Sequence, residues 1–582
     1  MADDWCVRPH FCGMRRIGKS LWVHDPQLPT WLIFVGAFLL LFLLMDRQVD
    51  IYDEGFILVA AMRTEAGAVA HRDYYYLYGP ASPWLLARFW QIFTPTFLIG
   101  RIYGLLIQAG IVAAGFHLLR PLTSLPLRLI YLLVALSWLV ALQNHLYPSF
   151  ACILLFLVAA HVLLRSDPLR PTTLSLLAAG GCAGLATLFR YDTGPAIVVA
   201  EAVYLILLPN ILRCGNTSMA VMGRRLLLIG AGFASVVVPL IIAGWQAGAA
   251  QAWWQDIIMS STTFYVSHRG LPFPSLSEVV RRPSFGSAYL PLAALLIGAC
   301  TWLSRPTAAP QSRARHTDTV AAGLLMSCLT AAMYYKGVVR VQPLHFAMST
   351  IPATLLLLLC AQAWQRRAGR VHAATILLGL MVIVPSAHAI GSALKRSTSE
   401  PGRLMASWLL GQRTSQSSPI KDCGIAARLM GVQMAEGQLA ASAFVRNRTH
   451  RDEPVFVGAA RHDLFVINNV ALYFVMNRSP ATHWYTFDPG LQTRADIQTA
   501  IVRDLKRFRV RWIISDSSKD HVTEPNASSV SSGVTMLDRW IARNYRVVRR
   551  FPPATIWLRN GEAGVRLDPH DAACRRDRPV DT

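Results

Sequence analysis

The sequence predicts a polytopic α-helical membrane protein of about 11 transmembrane helices, with interfacial helices in the first outer loop and a C-terminal extracytoplasmic α/β domain. Three observations carry that prediction. Of 582 residues, 53% are hydrophobic and only 15% charged, where a soluble chain carries roughly a quarter charged. Apolar runs of about 17–22 residues, each long enough to cross a bilayer as a helix, recur as far as Leu394. Beyond Leu394 no such run exists, and strand and helix patterns alternate.

Taken in order, spans are expected at 30–46, 97–118, 126–143, 148–164, 172–189, 194–212, 225–244, 288–304, 318–336, 344–364 and 372–391. The first is no cleaved signal peptide, because it ends in Met45-Asp46-Arg47 without a small-residue cleavage site. Residues 1–29 are then a cytoplasmic segment, 30–394 the transmembrane domain, 395–561 the α/β domain and 562–582 a polar tail expected to be disordered. In the α/β domain, strands are expected at Pro454–Gly458 and Val510–Asp516, with a strand pair around Val547 and Ile556. An amphipathic helix over Arg494–Phe508 carries Ile497, Ile501, Leu505 and Phe508 on one face, and a second helix covers Met536–Asn544. With no nucleotide-binding glycine pattern and no nucleophile elbow, this domain is expected to support, cover or recognise, not to carry the chemistry.

The formal net charge is +23. Its placement points to a bilayer and excludes nucleic acid as the partner, since every short inner loop is basic when the N-terminus is cytoplasmic. Arg120 and Arg128, Arg165 and Arg170, and Arg366, Arg367 and Arg370 are examples. The expected location is the cell (inner) membrane, multi-pass, with the C-terminal domain extracytoplasmic. Ten cysteines show no disulfide or zinc spacing; Cys6-x-x-x-His10-x-Cys12 is only faintly metal-like.

Carboxylates and cations on the outer side single out the chemistry. Asp46, Asp50, Asp53 and Glu54 follow the first span directly, with Gly55 expected to let the chain turn sharply. The first outer loop continues through Phe56–Met62 and Pro83–Phe93, two apolar stretches too short to span and read as interfacial helices. Between them lie Tyr74, Tyr75, Tyr76 and Tyr78, which fit an aromatic belt or a sugar site; Tyr75 and Tyr78 are the sugar or acceptor candidates. The later outer loops offer Arg190, Arg269, Lys336, Arg340 and His345, cations that oppose the positive-inside tendency. Inside the sixth span, Glu201 is either functional or paired with a residue such as Arg101.

Acid on the first loop and base on the later ones suit sugar transfer from a lipid phosphate. A carboxylate can deprotonate the attacking hydroxyl, and cations can receive the charge growing on the leaving phosphate. The Asp53-Glu54 pair after the first span, the two interfacial helices and the Tyr78-Gly79-Pro80 turn come in that order. Arg340-x-x-x-x-His345 before a late span and an outer C-terminal domain complete the series. Over about two thirds of the chain this order resembles the GT-C superfamily of membrane glycosyltransferases, which includes protein O-mannosyltransferases and lipid A aminoarabinose transferases.

The resemblance implies a polyprenyl-phosphate-linked sugar as donor, inversion at the anomeric carbon, and a glycan, lipid or protein acceptor. It implies Asp53 as base, with Glu54 a helper or a metal or acceptor contact. Arg190, Arg269, Lys336, Arg340 and His345 become donor-phosphate ligands, Arg340 and His345 first. Where family members often place Arg-Tyr after the acidic pair this chain has Gly55-Phe56, which leaves open which carboxylate is the base. A divalent metal on Asp53 and Glu54 is allowed, although no second ligand cluster accompanies them. The alternatives are a lipid or solute transporter or flippase, and a non-catalytic scaffold; no inverted repeat favours the former.

Overall fold

The structure, a computed structural model, describes residues 28–212, 217–259, 266–303, 313–368, 422–464, 467–488 and 490–564. The eleventh expected span at 372–391, the expected boundary at 394/395, the Cys6-His10-Cys12 spacing and the tail after 564 lie outside the described residues.

Helix α1 (Thr30–Leu43) is the first apolar helix; α2 (Asp53–Glu65) and α3 (Ala81–Ile92) follow in the first long connection. Next come α4 (Phe97–Leu119), α5 (Leu125–Leu142), α6 (Ser149–Arg165), α7 (Thr173–Phe189), α8 (Thr193–Ile211) and α9 (Met219–Gln246). Short α10 (Ala250–Trp253), α11 (Val266–Arg269) and α12 (Leu276–Arg281) lead to α13 (Leu290–Leu303), α14 (Arg313–Val339) and α15 (Pro343–Ala368). Among the described residues seven helices are long and apolar enough to cross a membrane, and α1, α6 and α7 are shorter apolar ones. These ten fall on the first ten spans read from the sequence. The starts of α4, α7 and α9 carry side-chain caps: Thr96, Thr172 and Ser218 accept from the backbone N–H groups of Ile99, Ser175 and Val221.

Small residues let the helices approach. Gly180 and Gly184 of α7 face the backbone carbonyls of Ile229 and Phe233 on α9, and Gly232 faces the Leu177 carbonyl in return. Any side chain there would separate the pair. Because the helices alternate in direction, the connecting residues 44–96, 143–148, 190–192, 247–259, 266–289 and 340–342 gather at one end of the bundle.

The C-terminal residues cover that end. They comprise α16 (Cys423–Leu429), α17 (Glu436–Arg446), β1 (Phe456–Ala459), α18 (Ala471–Met476), α19 (Ala495–Arg507), β2 (Trp512–Asp516), α20 (Met536–Asn544), β3 (Tyr545–Phe551) and β4 (Ala554–Arg559). The sheet order is β1-β2-β4-β3. β1 and β2 are parallel, joined by a crossover through α18 and α19, and β4 is antiparallel to both its neighbours. Ile497, Ile501 and Leu505 of α19 are buried as their spacing predicts, whereas Phe508 is 49% exposed because the helix ends at Arg507.

Bundle and C-terminal residues share one core. Phe56, Ile57, Leu58 and Val59 of α2 pack with Val470, Leu472, Phe474 and Tyr485. Helix α2 is therefore sheathed by protein, while α3 keeps Trp84 and Ile92 exposed. Gly55 does not make the expected sharp turn. It sits in the first turn of α2, where a Cβ would strike the Ala471 backbone, and the Ala471 N–H donates to the Ile51 carbonyl at 3.1 Å.

Candidate active site

A cavity of about 470 Å³ lies where the bundle end meets the C-terminal residues. Residues 46–54 form one wall, the 143–147 turn a second, Arg269 and Arg340 a third, and Asp488 with Lys519, Val522 and Glu524 a fourth. The structure thus gathers Asp53, Glu54, Tyr78, Arg269, Arg340 and His345 around one space.

Asp50 shapes the acidic wall. Its Oδ1 accepts from the N–H groups of Tyr52 at 3.0 Å and Asp53 at 2.9 Å, fixing the turn that leads into α2. The adjacent carboxylates then part ways. Glu54 points inward and takes a bidentate pair from Arg101 of α4, Nε to Oε1 at 2.8 Å and Nη2 to Oε2 at 2.7 Å, both side chains nearly fully buried. Arg101 also donates to the carbonyls of Asp46 and Gln48, so this pair fastens the 46–54 stretch to the bundle. Both Glu54 oxygens are thus engaged, Oε2 also accepting from the Asp50 N–H at 3.1 Å. Asp53 faces the cavity and accepts from Asn144 Nδ2 at 2.9 Å. Burial, reinforced by the charges of Asp50 and Asp488 and opposed by Arg269 and Arg340, pushes its carboxyl up to about 7.

The cations fall into two layers. Arg269 is ion-paired with Asp488 and lies 5.9 Å from the Tyr52 ring centre. Arg340 donates from Nη1 to the Arg269 carbonyl at 2.9 Å and pairs bidentately with Glu524, at 2.8 and 2.5 Å. The His345 Nδ1 meets Tyr147 Oη at 3.1 Å. Behind these stand Arg190 and Lys336, outside the cavity lining and both paired with Asp192, at 2.9 and 3.5 Å. Arg190 lies over the rings of Tyr78 and Tyr147 at 5.0 and 5.8 Å, and both rings line the cavity.

The four tyrosines divide between the core and the cavity. Tyr74, Tyr75 and Tyr76 are fully buried against Phe56, Trp484 and Tyr485, and only Tyr78 reaches the cavity. Tyr75 instead donates its hydroxyl to Asp488 Oδ2 at 3.4 Å. Glu201 is not paired with Arg101, which Glu54 occupies; both Glu201 oxygens are buried without a hydrogen-bond partner among the described residues. Among those residues no group of three or more His, Cys, Asp and Glu side chains is placed to hold a metal ion.

Sequence reasoning missed two contributors. The short 143–147 turn holds no Lys or Arg, the feature that singles out the other outer loops, yet Asn144 holds Asp53 and Tyr147 holds His345. Its polar run Gln143-Asn144-His145 between two apolar spans was the available signal. The C-terminal domain, expected to carry no chemistry, supplies Asp488, Lys519 and Glu524 to the cavity.

No protein-family model matches the chain, and no curated protein matches its sequence. Solved structures similar in fold include two of one protein. ArnT from Cupriavidus metallidurans bound to undecaprenyl phosphate superposes with a TM-score of 0.53 at 12% identity, over 90% of this chain and 97% of that one. The same protein in the apo state gives 0.50 at 13% identity over the same shares. At these identities the likeness is one of architecture, and that architecture is the GT-C fold which the order of motifs in the sequence resembles.

Proposed function

We propose that this protein is a membrane glycosyltransferase moving a sugar from a polyprenyl-phosphate donor to an acceptor hydroxyl on the extracytoplasmic face. The observation that carries the proposal is the cavity itself. It sets Asp53, a carboxyl raised to about 7, opposite Arg269, Arg340 and His345 at the end of a membrane bundle. The C. metallidurans ArnT of the same fold is bound to undecaprenyl phosphate, which agrees with a donor of that class. The proposed division is a membrane domain over 30–394 and an extracytoplasmic domain over 395–561.

In this reading Asp53 removes the acceptor proton as the hydroxyl oxygen attacks the anomeric carbon, and the new C–O bond forms. The bond from that carbon to the phosphate oxygen breaks, and its electron pair remains on the lipid phosphate. Arg340 and Arg269 receive the added negative charge. Attack opposite the leaving phosphate inverts the anomeric centre. Asp53 then returns its proton to solvent. Asn144 orients the carboxylate, and the Glu54–Arg101 pair keeps the wall in place.

Asp53→Asn retains shape and hydrogen bonding but cannot take a proton. It is expected to lower sugar transfer at least about 100-fold, the usual range for a lost general base, while polyprenyl phosphate binding by the purified protein persists. Full transfer activity in the variant would overturn the assignment.

A further inference from the structure

The cations that would hold the donor phosphate are already occupied. Arg340 is held bidentately by Glu524, whose carboxyl burial would raise but Arg340 brings below its ordinary range. Arg269 is held by Asp488. Both carboxylates come from the C-terminal domain, across more than a hundred residues of chain, and both pairs are largely out of water. Glu524 takes the Nη1/Nη2 edge of the Arg340 guanidinium, and a carboxylate and a phosphate compete for such an edge with the same bidentate geometry.

Glu524 belongs to the 517–533 loop between β2 and α20. That loop rests on the bundle lightly. Asn526 donates to the Gly270 carbonyl at 2.9 Å and, with Glu524, closes on the turn that carries Arg269. Its other polar contacts are internal or to its own domain: Ser529 bonds the Glu524 backbone, and Ser517 and Ser531 bond Pro553 and Asp463. Lys519 and Val522 of the same loop also line the cavity.

Building on the glycosyltransferase reading, we propose that Glu524 is an internal plug standing where the donor phosphate binds. The lipid phosphate then docks by taking Arg340 from Glu524, and the 517–533 loop moves off the cavity as it does. Donor binding is thereby coupled to opening of the acceptor side, and a chain without donor keeps Asp53 screened from stray hydroxyls. The plug lowers the apparent affinity for donor by the fraction of time that Arg340 is occupied.

The test uses the full chain in nanodiscs, with undecaprenyl phosphate as probe and undecaprenol as the phosphate-free control. Glu524→Gln should bind undecaprenyl phosphate about tenfold more tightly than wild type, leave undecaprenol binding unchanged, and Arg340→Ala should bind the phosphate about tenfold more weakly. Trypsin cleavage at Lys519 should quicken when undecaprenyl phosphate, but not undecaprenol, is added to the wild-type chain, a readout that needs no variant to fold. If Arg340→Ala weakens binding while Glu524→Gln leaves it unchanged or weaker, the plug is overturned and the donor site stands. If neither variant alters phosphate binding, the donor-site reading itself fails and the plug with it. A cleavage rate indifferent to phosphate overturns the loop movement.

Discussion

At the residue scale, adjacent carboxylates acquire opposite tasks from their surroundings. The sequence puts Asp53 ahead of Glu54 as the base but leaves the choice open, because the residue that separates them, Arg101, stands 47 positions after Glu54 on α4. Asp53, with a carboxyl at about 7 where an isolated aspartate sits near 4, gives a pH profile with a definite sign. Transfer should rise about tenfold per pH unit below 7 and level off above it, as the base form accumulates. Asp50 supplies part of the upward push through its charge and also accepts the Tyr52 and Asp53 N–H groups. An Asn side-chain oxygen can accept the same two groups, so Asp50→Asn keeps those bonds and drops the charge. Its profile should shift to lower pH with the plateau rate nearly intact. Stability follows the same linkage: the folded state binds this proton more tightly than the unfolded chain, so stability is present below about pH 4 and lost as pH climbs through 7. A profile centred below pH 5 in the wild-type protein would exclude Asp53 as the titrating base.

At the element scale, periodic patterns were legible and contacts across the chain were not. The helix at 494–508 and the strands around 456 and 513 follow from spacing alone, because each buries one local face. The tyrosines at 74–76 could not be read, since their partners Trp484 and Tyr485 lie about four hundred residues away. The Tyr78-Gly79-Pro80 turn is legible as a motif, but its cause is steric. The Gly79 N–H donates to the Phe189 carbonyl at 3.0 Å, and a Cβ on Gly79 would run into the Leu188 carbonyl at the end of α7. Backbone cannot yield there as a side-chain tip would. Gly79→Ala should push α3 from α7, lower the unfolding temperature by several degrees, on the scale of about 1–3 kcal/mol for overpacking, and reduce transfer by displacing Tyr78. An unchanged melting curve would mean that α7 gives way at no cost.

At the scale of the whole molecule, the membrane bundle and the C-terminal domain are read from sequence as separate units but behave in the structure as parts of one core. The join runs through Phe56 and Tyr485. Their rings stack at 6.2 Å with an interplanar angle of 12°, and the Tyr485 hydroxyl donates to the Phe56 carbonyl at 3.4 Å. Tyr485 is fully buried and absent from the cavity lining, whereas Phe56 lies one turn beyond Asp53. Truncating a buried aromatic costs about 3–5 kcal/mol. Were the two regions independent, Tyr485→Ala would melt the C-terminal domain alone and leave undecaprenyl phosphate binding and Asp53-dependent transfer untouched. A shared core predicts otherwise. Tyr485→Ala should lower a single transition of the full chain and cut transfer, and adding Phe56→Ala should cost clearly less than the two single losses combined, because each variant removes the same contact. Additive losses would uncouple the domains, and would leave the carboxylates of the C-terminal domain as neighbours of the active site without mechanical hold on it.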